Sequence, residues 1–271
     1  MYFGTSATGV VTDIGAGVTK VKPGDRIMAM WGDISDINTV NEHDARLLGN
    51  VSPLLAQCIE AAFVSFHCVR ESNVRYGDAV VIVGLGALGL IAVRIAQQSG
   101  AQQVIAIDPV PGRRRMAEQL GATATFDPMG KPDVAEAVHD LTGGHGADVS
   151  IELSGTYPGL ATAIRCTRMT GTVCSSGFYR GEAKGIFFGR EYHHNQLNMI
   201  VPHGCGGSQP PRDYPRWDDA RAYDAILSMM ATGKMDVTAI VNPVVNTTEA
   251  VHIFRRMRDE ADSIAKFAVQ F

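Results

Sequence analysis

The chain has 271 residues, 45% apolar and 19% charged, with 24 Lys and Arg against 28 Asp and Glu for a net charge of -4. That composition excludes a disordered chain, and the acidic balance argues against an electrostatic grip on nucleic acid. No apolar run approaches the roughly 18 residues that span a bilayer, and no charged-then-apolar leader opens the sequence, so no membrane partner is expected. Cys58, Cys68, Cys166, Cys174 and Cys205 are scattered, with no CxxC pair. They read as reduced thiols of a cytoplasmic protein, not as a disulfide scaffold or a zinc knuckle.

In chain order, residues 1–32 hold short apolar stretches broken by Gly4, Gly9, Gly15, Gly17 and Gly24, the pattern of an all-β region with tight turns. Residues 79–83 are a β-branched run and predict a buried strand. A glycine-rich turn follows at 84–89, then a helix over 90–96 that stops at Ser99-Gly100. A strand over 104–107 ends at Asp108, and helices are predicted over 113–120 and 133–141. Next come a strand over 149–153, a helix over 160–168, a strand opening at 171–174 and a last strand over 197–201. Strands separated by helices imply right-handed βαβ crossovers and a parallel sheet. Residues 205–216 read as a Gly- and Pro-rich loop, followed by a helix over 218–232, a strand over 237–241, a helix over 248–257 and a closing strand over 265–271.

Gly84-Leu85-Gly86-Ala87-Leu88-Gly89 fits G-x-G-x-x-G. Alone the pattern is weak, but here it follows a strand, opens a helix and leads to a second strand ending in an acid. Gly84 permits the tight turn, Gly86 leaves room for a pyrophosphate, and Gly89 lets the helix pack closely on the strand. The helix N-terminus offers N–H groups and partial positive charge to the phosphates. Asp108 can accept both hydroxyls of an adenosine ribose, which favours NAD over NADP. Arg113, Arg114 and Arg115 weaken that preference slightly. They read chiefly as a solvated helix face, with Arg113 closest to the ribose edge.

The runs Gly9 to Val18, Lys22-Pro23-Gly24-Asp25-Arg26-Ile27 and Tyr76-Gly77-Asp78 leading into Gly84-Leu85-Gly86 resemble the medium-chain dehydrogenase/reductase superfamily, the zinc-type alcohol dehydrogenase-like proteins. Gly121-Ala122, Glu152-Leu153-Ser154-Gly155 and Gly171-Thr172-Val173 fall in matching places. The resemblance implies an α/β fold, a Rossmann doubly wound parallel sheet inserted into a partial GroES-like β domain. The expected division is 1–68 for the first part of the GroES-like domain, 69–205 for the dinucleotide-binding domain, and 206–271 for the second part of the GroES-like, catalytic domain. It also implies cofactor contacts from Leu153, Ser154, Ser176 and Phe178 beside the glycines, Asp108 and Arg113, with Val64 against the nicotinamide ring. Gly177-Phe178-Tyr179 and Glu191 to Asn195 are most similar to a subgroup with bacteriochlorophyllide dehydrogenase-like proteins. Homodimers joined through the strand at 197–201 are implied too.

The departures from the family are as informative as the matches. Zinc members carry an upstream Cys and a Gly-His-Glu before the strand that begins near Gly9. Here that segment reads Gly4-Thr5-Ser6, so the ligand histidine falls on Thr5 and its neighbouring acid on Ser6. Only Glu60 keeps a possible ligand, and one carboxylate does not make a catalytic zinc site, which needs three protein ligands. No bound metal is therefore expected. The opening part of a full-length member has no counterpart, which fits either a shortened protein or a chain begun downstream.

Without zinc, some other group must polarise the substrate oxygen. Tyr179, His193, His194, His203 and His67 are the local candidates, with Glu60 as a general base. His67 lies in an apolar helical stretch and reads as a core histidine. The histidines at 193–194 can equally sit at a loop or dimer rim, and Tyr179 can equally be packing. The catalytic set expected is Glu60, Tyr179 and His194. The function expected is NAD(H)-dependent hydride transfer to or from a small-molecule alcohol or carbonyl. A catalytically inactive nucleotide-binding homologue and a zinc-free quinone or enoyl reductase are the alternatives.

Overall fold

The computed structural model describes residues 4–30, 32–202, 211–212, 214–259 and 264–271; the expectations for His203 and Cys205 lie outside the described residues. The chain opens with β1 (Ser6–Val10), β2 (Arg26–Met30) and β3 (Ala45–Leu47), an antiparallel three-stranded sheet. The Gly-rich turns between β1 and β2 fulfil the expected all-β pattern. β3 was not anticipated, because three residues carry no readable period.

Two helices lead inward. α1 (Pro53–Ala56) starts at Pro53 behind a Ser52 cap. α2 (Ile59–Glu71) is buried on nearly every side, as an all-round apolar helix should be. It carries the chain unbroken across position 68, where the sequence reading divides two domains.

The central block follows as β4 (Ala79–Val83), α3 (Ala87–Gln98), β5 (Gln103–Ile107), α4 (Pro111–Gln119), β6 (Ala124–Phe126), α5 (Val134–Leu141), β7 (Ala147–Glu152), α6 (Tyr157–Cys166), β8 (Thr167–Ser175), α7 (Glu191–His194) and β9 (Asn198–Ile200). Its six strands lie in the order β6-β5-β4-β7-β8-β9, all parallel. Successive side chains on a strand face opposite ways. Val80 and Ile82 accordingly join the core shared with α2 and α3, while Val81 and Val83 join the core under α5 and α6. A strand apolar on both faces suits a sheet covered on both sides. This is an α/β fold with a doubly wound parallel sheet beside a small antiparallel one, as the sequence implied.

The chain ends with α8 (Asp219–Ala231), β10 (Val241–Asn246), α9 (Thr247–Asp259) and β11 (Lys266–Gln270), where β10 and β11 pair in parallel. The strand expected at 237–241 is instead a 3-10 turn over Thr238–Ile240, and extended structure begins only at Val241. The cause is local. Asp236 accepts a hydrogen bond from the Thr238 N–H at 3.0 Å, and the buried residues Val237 and Ile240 lie three apart, a 3-10 spacing. A second shift comes at the helix expected over 160–168. It starts at Tyr157 behind a Thr156 cap and stops at Cys166, and β8 begins at once with Thr167. Among the described residues no helix is long and apolar enough to cross a membrane.

Asp133 illustrates how one side chain fixes an element. It caps α5 through the Ala135 N–H at 3.0 Å and takes two bonds from Arg165 on α6, at 2.8 and 3.1 Å. Arg165 above all, then the capping amides, holds its carboxyl below the usual range. Asp133→Ala should lower stability by about 1 kcal/mol, mostly from the lost cap, since the ion pair is half in water. The difference from wild type should be fully present above the ordinary carboxyl value. It should vanish as pH falls through the lowered one, read from melting curves across acidic pH.

Candidate active site

The turn after β4 is shaped by close backbone approaches. Gly84 has a φ of +89°, and a Cβ there would lie 2.5 Å from the Ser154 N. A Cβ on Gly89 would drive into the Gly84 carbonyl oxygen. Gly86 differs: it caps α3 in extended backbone with no side-chain cap, and a Cβ on it would meet nothing within 4 Å. The space in front of the helix N-terminus is thus open, while its first-turn N–H groups lack intrahelical partners. Ser65 on α2 braces this end, its hydroxyl 2.8 Å from the carbonyl oxygens of both Ala61 and Leu88, to either of which it can donate. Such a cradle suits the phosphates of a pyridine dinucleotide. Of the residues expected there, Ala87 and Leu88 line the open cleft, whereas the Leu85 side chain is fully buried.

Asp108 ends β5 and is itself buried. One oxygen accepts from the Leu85 N–H and the other from the Val110 N–H, both at 2.8 Å. Each oxygen keeps a second lone pair for a ligand hydroxyl. Arg113 stands 3.8 Å from this carboxylate, with its Nε buried and unpartnered. Arg114 instead donates to the carbonyls of Asp108 and Pro109 at 2.7 and 2.9 Å and lies 3.5 Å from Asp127, so it braces the turn. Arg115 faces solvent. The solvated-face reading of all three holds only for Arg115.

Val83 at the end of β4 pairs with Glu152 at the end of β7, so the sheet order reverses between these strands. Open sheets of this kind bind ligands in the crevice at that reversal. Beyond it lie the other expected contacts. The Leu153 N–H donates to the Val83 carbonyl at 2.8 Å, and the Ser176 N–H to the Glu152 carbonyl at 3.1 Å. The Ser176 hydroxyl sits 3.2 Å from both the Cys68 and Cys174 thiols. Ser154 is exposed, and Phe178 is 83% exposed at the rim. Tyr179 donates to the Glu152 carboxylate, accepts from Ser175 at 3.1 Å and stacks on Tyr157. Burial, and then the bond to Glu152, push its phenol well above its usual range, which keeps it protonated.

A cavity of about 1600 Å³ runs between the antiparallel sheet, β11 and the start of α3, lined among others by Thr5, Glu60, Val64, Ala87, Leu88 and Lys266. Glu60 stands at the first turn of α2. Burial raises its pKa, opposed first by the Lys266 ammonium and then by a hydrogen bond with Thr5. The structure therefore joins Glu60 to Thr5, as the family pattern implies, and adds a lysine that the sequence reading missed. Zinc does not fit this donor set: a threonine and an ammonium group flank the carboxylate. Among the described residues no three His, Cys, Asp or Glu side chains could hold a metal ion.

The three catalytic candidates do not converge. Glu60 faces the cavity, Tyr179 is committed to Glu152, and His194 is exposed on α7 with its ring 5.4 Å from that of His193. His67 is buried, with Nδ1 3.3 Å from Glu71 on the next turn and its ring edge-on to Phe63. Cys58, Cys68, Cys166 and Cys174 are free and buried. Burial pushes the Cys58 and Cys166 thiols up to about 11 and about 12, so neither is a thiolate near neutrality.

A family profile described as zinc-binding dehydrogenase matches residues 87–217. D-guloside 3-dehydrogenase of Escherichia coli K12 is 34% identical over 261 residues, covering 95% of this chain and 73% of that protein. Among solved structures, 2R,3R-butanediol dehydrogenase from Bacillus subtilis superposes with a TM-score of 0.82 at 22% identity, over 97% of this chain and 79% of that one. A Sinorhizobium meliloti 1021 protein, named as a zinc-binding dehydrogenase and bound to NADP, gives 0.77 at 23% identity over 97% and 80%. With a third of its residues shared along nearly its whole length with a dehydrogenase, the chain belongs to the zinc-binding dehydrogenase family.

Proposed function

We propose that the chain is an NAD(H)-dependent oxidoreductase acting on a secondary alcohol or its ketone, with acid–base work done by side chains and not by zinc. The observation that carries this reading is the open, uncapped N-terminus of α3 at Gly86, set beside a buried acid, Asp108. The names of the similar proteins, one acting at a sugar position and one on a diol, favour a secondary hydroxyl as the reacting group.

NAD(H), when bound, supplies the acceptor or donor of a hydride. Gly86, Ala87 and Leu88 present backbone amides to its phosphates, and Asp108 accepts its ribose hydroxyls. Arg113, 3.8 Å from Asp108, sits where a 2′-phosphate would need a cation. The buried carboxylate in front of it repels that phosphate, so NADH is preferred over NADPH. This also disfavours the quinone or enoyl reductase alternative. Val64 walls the cavity on the α2 side, and Glu60 and Lys266 face it. In alcohol oxidation Glu60 would take the hydroxyl proton, while NAD, when bound, would supply the acceptor for the carbon's hydride. Lys266 stabilises the oxygen as it gains negative charge. Tyr179 and His194 have no part in this step: one is bonded to Glu152 and the other lies on an exposed helix. Residues 177–179 and 191–195, similar to bacteriochlorophyllide dehydrogenase-like proteins, do not line that cavity. β9 ends the six-stranded sheet with an open edge, and a second copy pairing there would give the expected homodimer.

Gly86→Val places a side chain in open space in a backbone conformation that valine adopts freely. It should leave the melting temperature nearly unchanged while weakening NADH binding by at least about tenfold in a fluorescence titration. Equal NADH affinity in the two proteins would refute the cradle. Titration with both nucleotides should show NADH binding at least about tenfold more tightly than NADPH; the reverse order would overturn the role of Asp108. Glu60→Gln should cut turnover by about a hundredfold without changing the NADH dissociation constant. Stoichiometric zinc in the active purified protein would rule out the metal-free reading. NADH binding without turnover on any secondary alcohol would mark the inactive homologue instead.

A further inference from the structure

Glu152 is fully buried at the end of β7, on the strand where the sheet order reverses. A lone buried carboxylate is costly unless it is fully hydrogen-bonded. This one is: Oε1 accepts from the Ser154 N–H at 2.7 Å and from the Ser154 hydroxyl, and Oε2 accepts from the Tyr179 phenol and, at 3.4 Å, from the Gly155 N–H. Those donors lie on two separate loops, the one after β7 and the one after β8. The packing between the loops is tight enough that a Cβ on Gly177 would come within 2.5 Å of Oε2. Among the described residues no base or cation is bonded to it, so the carboxylate works as an acceptor hub.

Resting on the nucleotide reading above, we infer that Glu152 is a positioning residue that sets the spacing of these two loops for the nicotinamide half of the cofactor. The adenosine half is served elsewhere, by the turn at Gly84–Gly89 and by Asp108. β7 and β8 follow β4 in the sheet, and Leu153, Ser154, Ser176 and Phe178 lie just past their ends. Only a carboxylate meets the donor set. Glutamine keeps one acceptor oxygen and turns an NH2 group toward the other donors. The Tyr179 phenol can rotate to accept from that group, but the Gly155 N–H cannot.

The test compares NADH with ADP-ribose, which lacks the nicotinamide, by calorimetry on wild type and Glu152→Gln. The expected result is NADH binding weakened about tenfold, the scale of one or two lost charge-assisted hydrogen bonds, with ADP-ribose binding unchanged. A purely structural role would weaken both ligands together or neither, and either pattern overturns the inference. If Glu152→Gln does not fold, Tyr179→Phe, which removes the side-chain donor of the loop after β8 without touching an expected cofactor contact, carries the same comparison. Wild-type protein that binds neither ligand refutes the nucleotide reading itself. Wild type that binds both, alongside a variant of unchanged affinity, refutes only the role of Glu152.

Discussion

The closeness of backbone to backbone at Gly84 governs this molecule. The end of β4 runs against the start of the loop after β7, near enough that any side chain at Gly84 would strike Ser154. α3 then lies down on the turn it has just left, with Gly89 against the Gly84 carbonyl. Nothing larger than hydrogen fits at either point. From that contact follow the direction of α3, the open ground before its first turn and the buried seat of Leu85, whose N–H ties down Asp108. The two cores on either side of the sheet hold these pieces in register, but the close pass determines where a ligand can approach.

Around that pass the chain uses acids in three settings. Asp108 is held by backbone amides just past the end of β5 and Glu152 by a hub of amides and hydroxyls at the end of β7. Glu60 faces open space beside an ammonium group. The fold fixes both of the first two: Glu152 is fully engaged, while each Asp108 oxygen takes one amide and keeps a lone pair free. The third is the one with room for a reacting molecule. On the proposed reading, degree of engagement, more than residue type, separates the binding and positioning groups from the one suited to proton transfer.

The legible parts of the sequence were those in which one short pattern decides the outcome. The β-branched run at 79–83, the glycines at 84, 86 and 89 and the acid at 108 are contiguous signals, and each appears where its pattern places it. The C-terminal region was harder. Val237 and Ile240 look like strand residues until Asp236 is seen to turn the backbone beneath them. The roles of Glu152 and Tyr179 were hidden for another reason. A glutamate closing a strand reads as a solvent-facing end, and its donors come from two loops separated in sequence. Lys266 was passed over because a lysine in a short closing strand resembles an ordinary edge charge. Its influence on Glu60 spans most of the chain and has no local signature.

On the proposed NAD(H) reading, the pinning of Asp108 bears on how tightly a nucleotide docks. Because the amides of Leu85 and Val110 already fix the torsions of this carboxylate, an incoming sugar diol meets an acceptor whose rotamer entropy was surrendered when the protein folded. Recognition at that corner is therefore preorganised: it rewards a ligand that arrives in the right shape and cannot rearrange to accommodate one that does not.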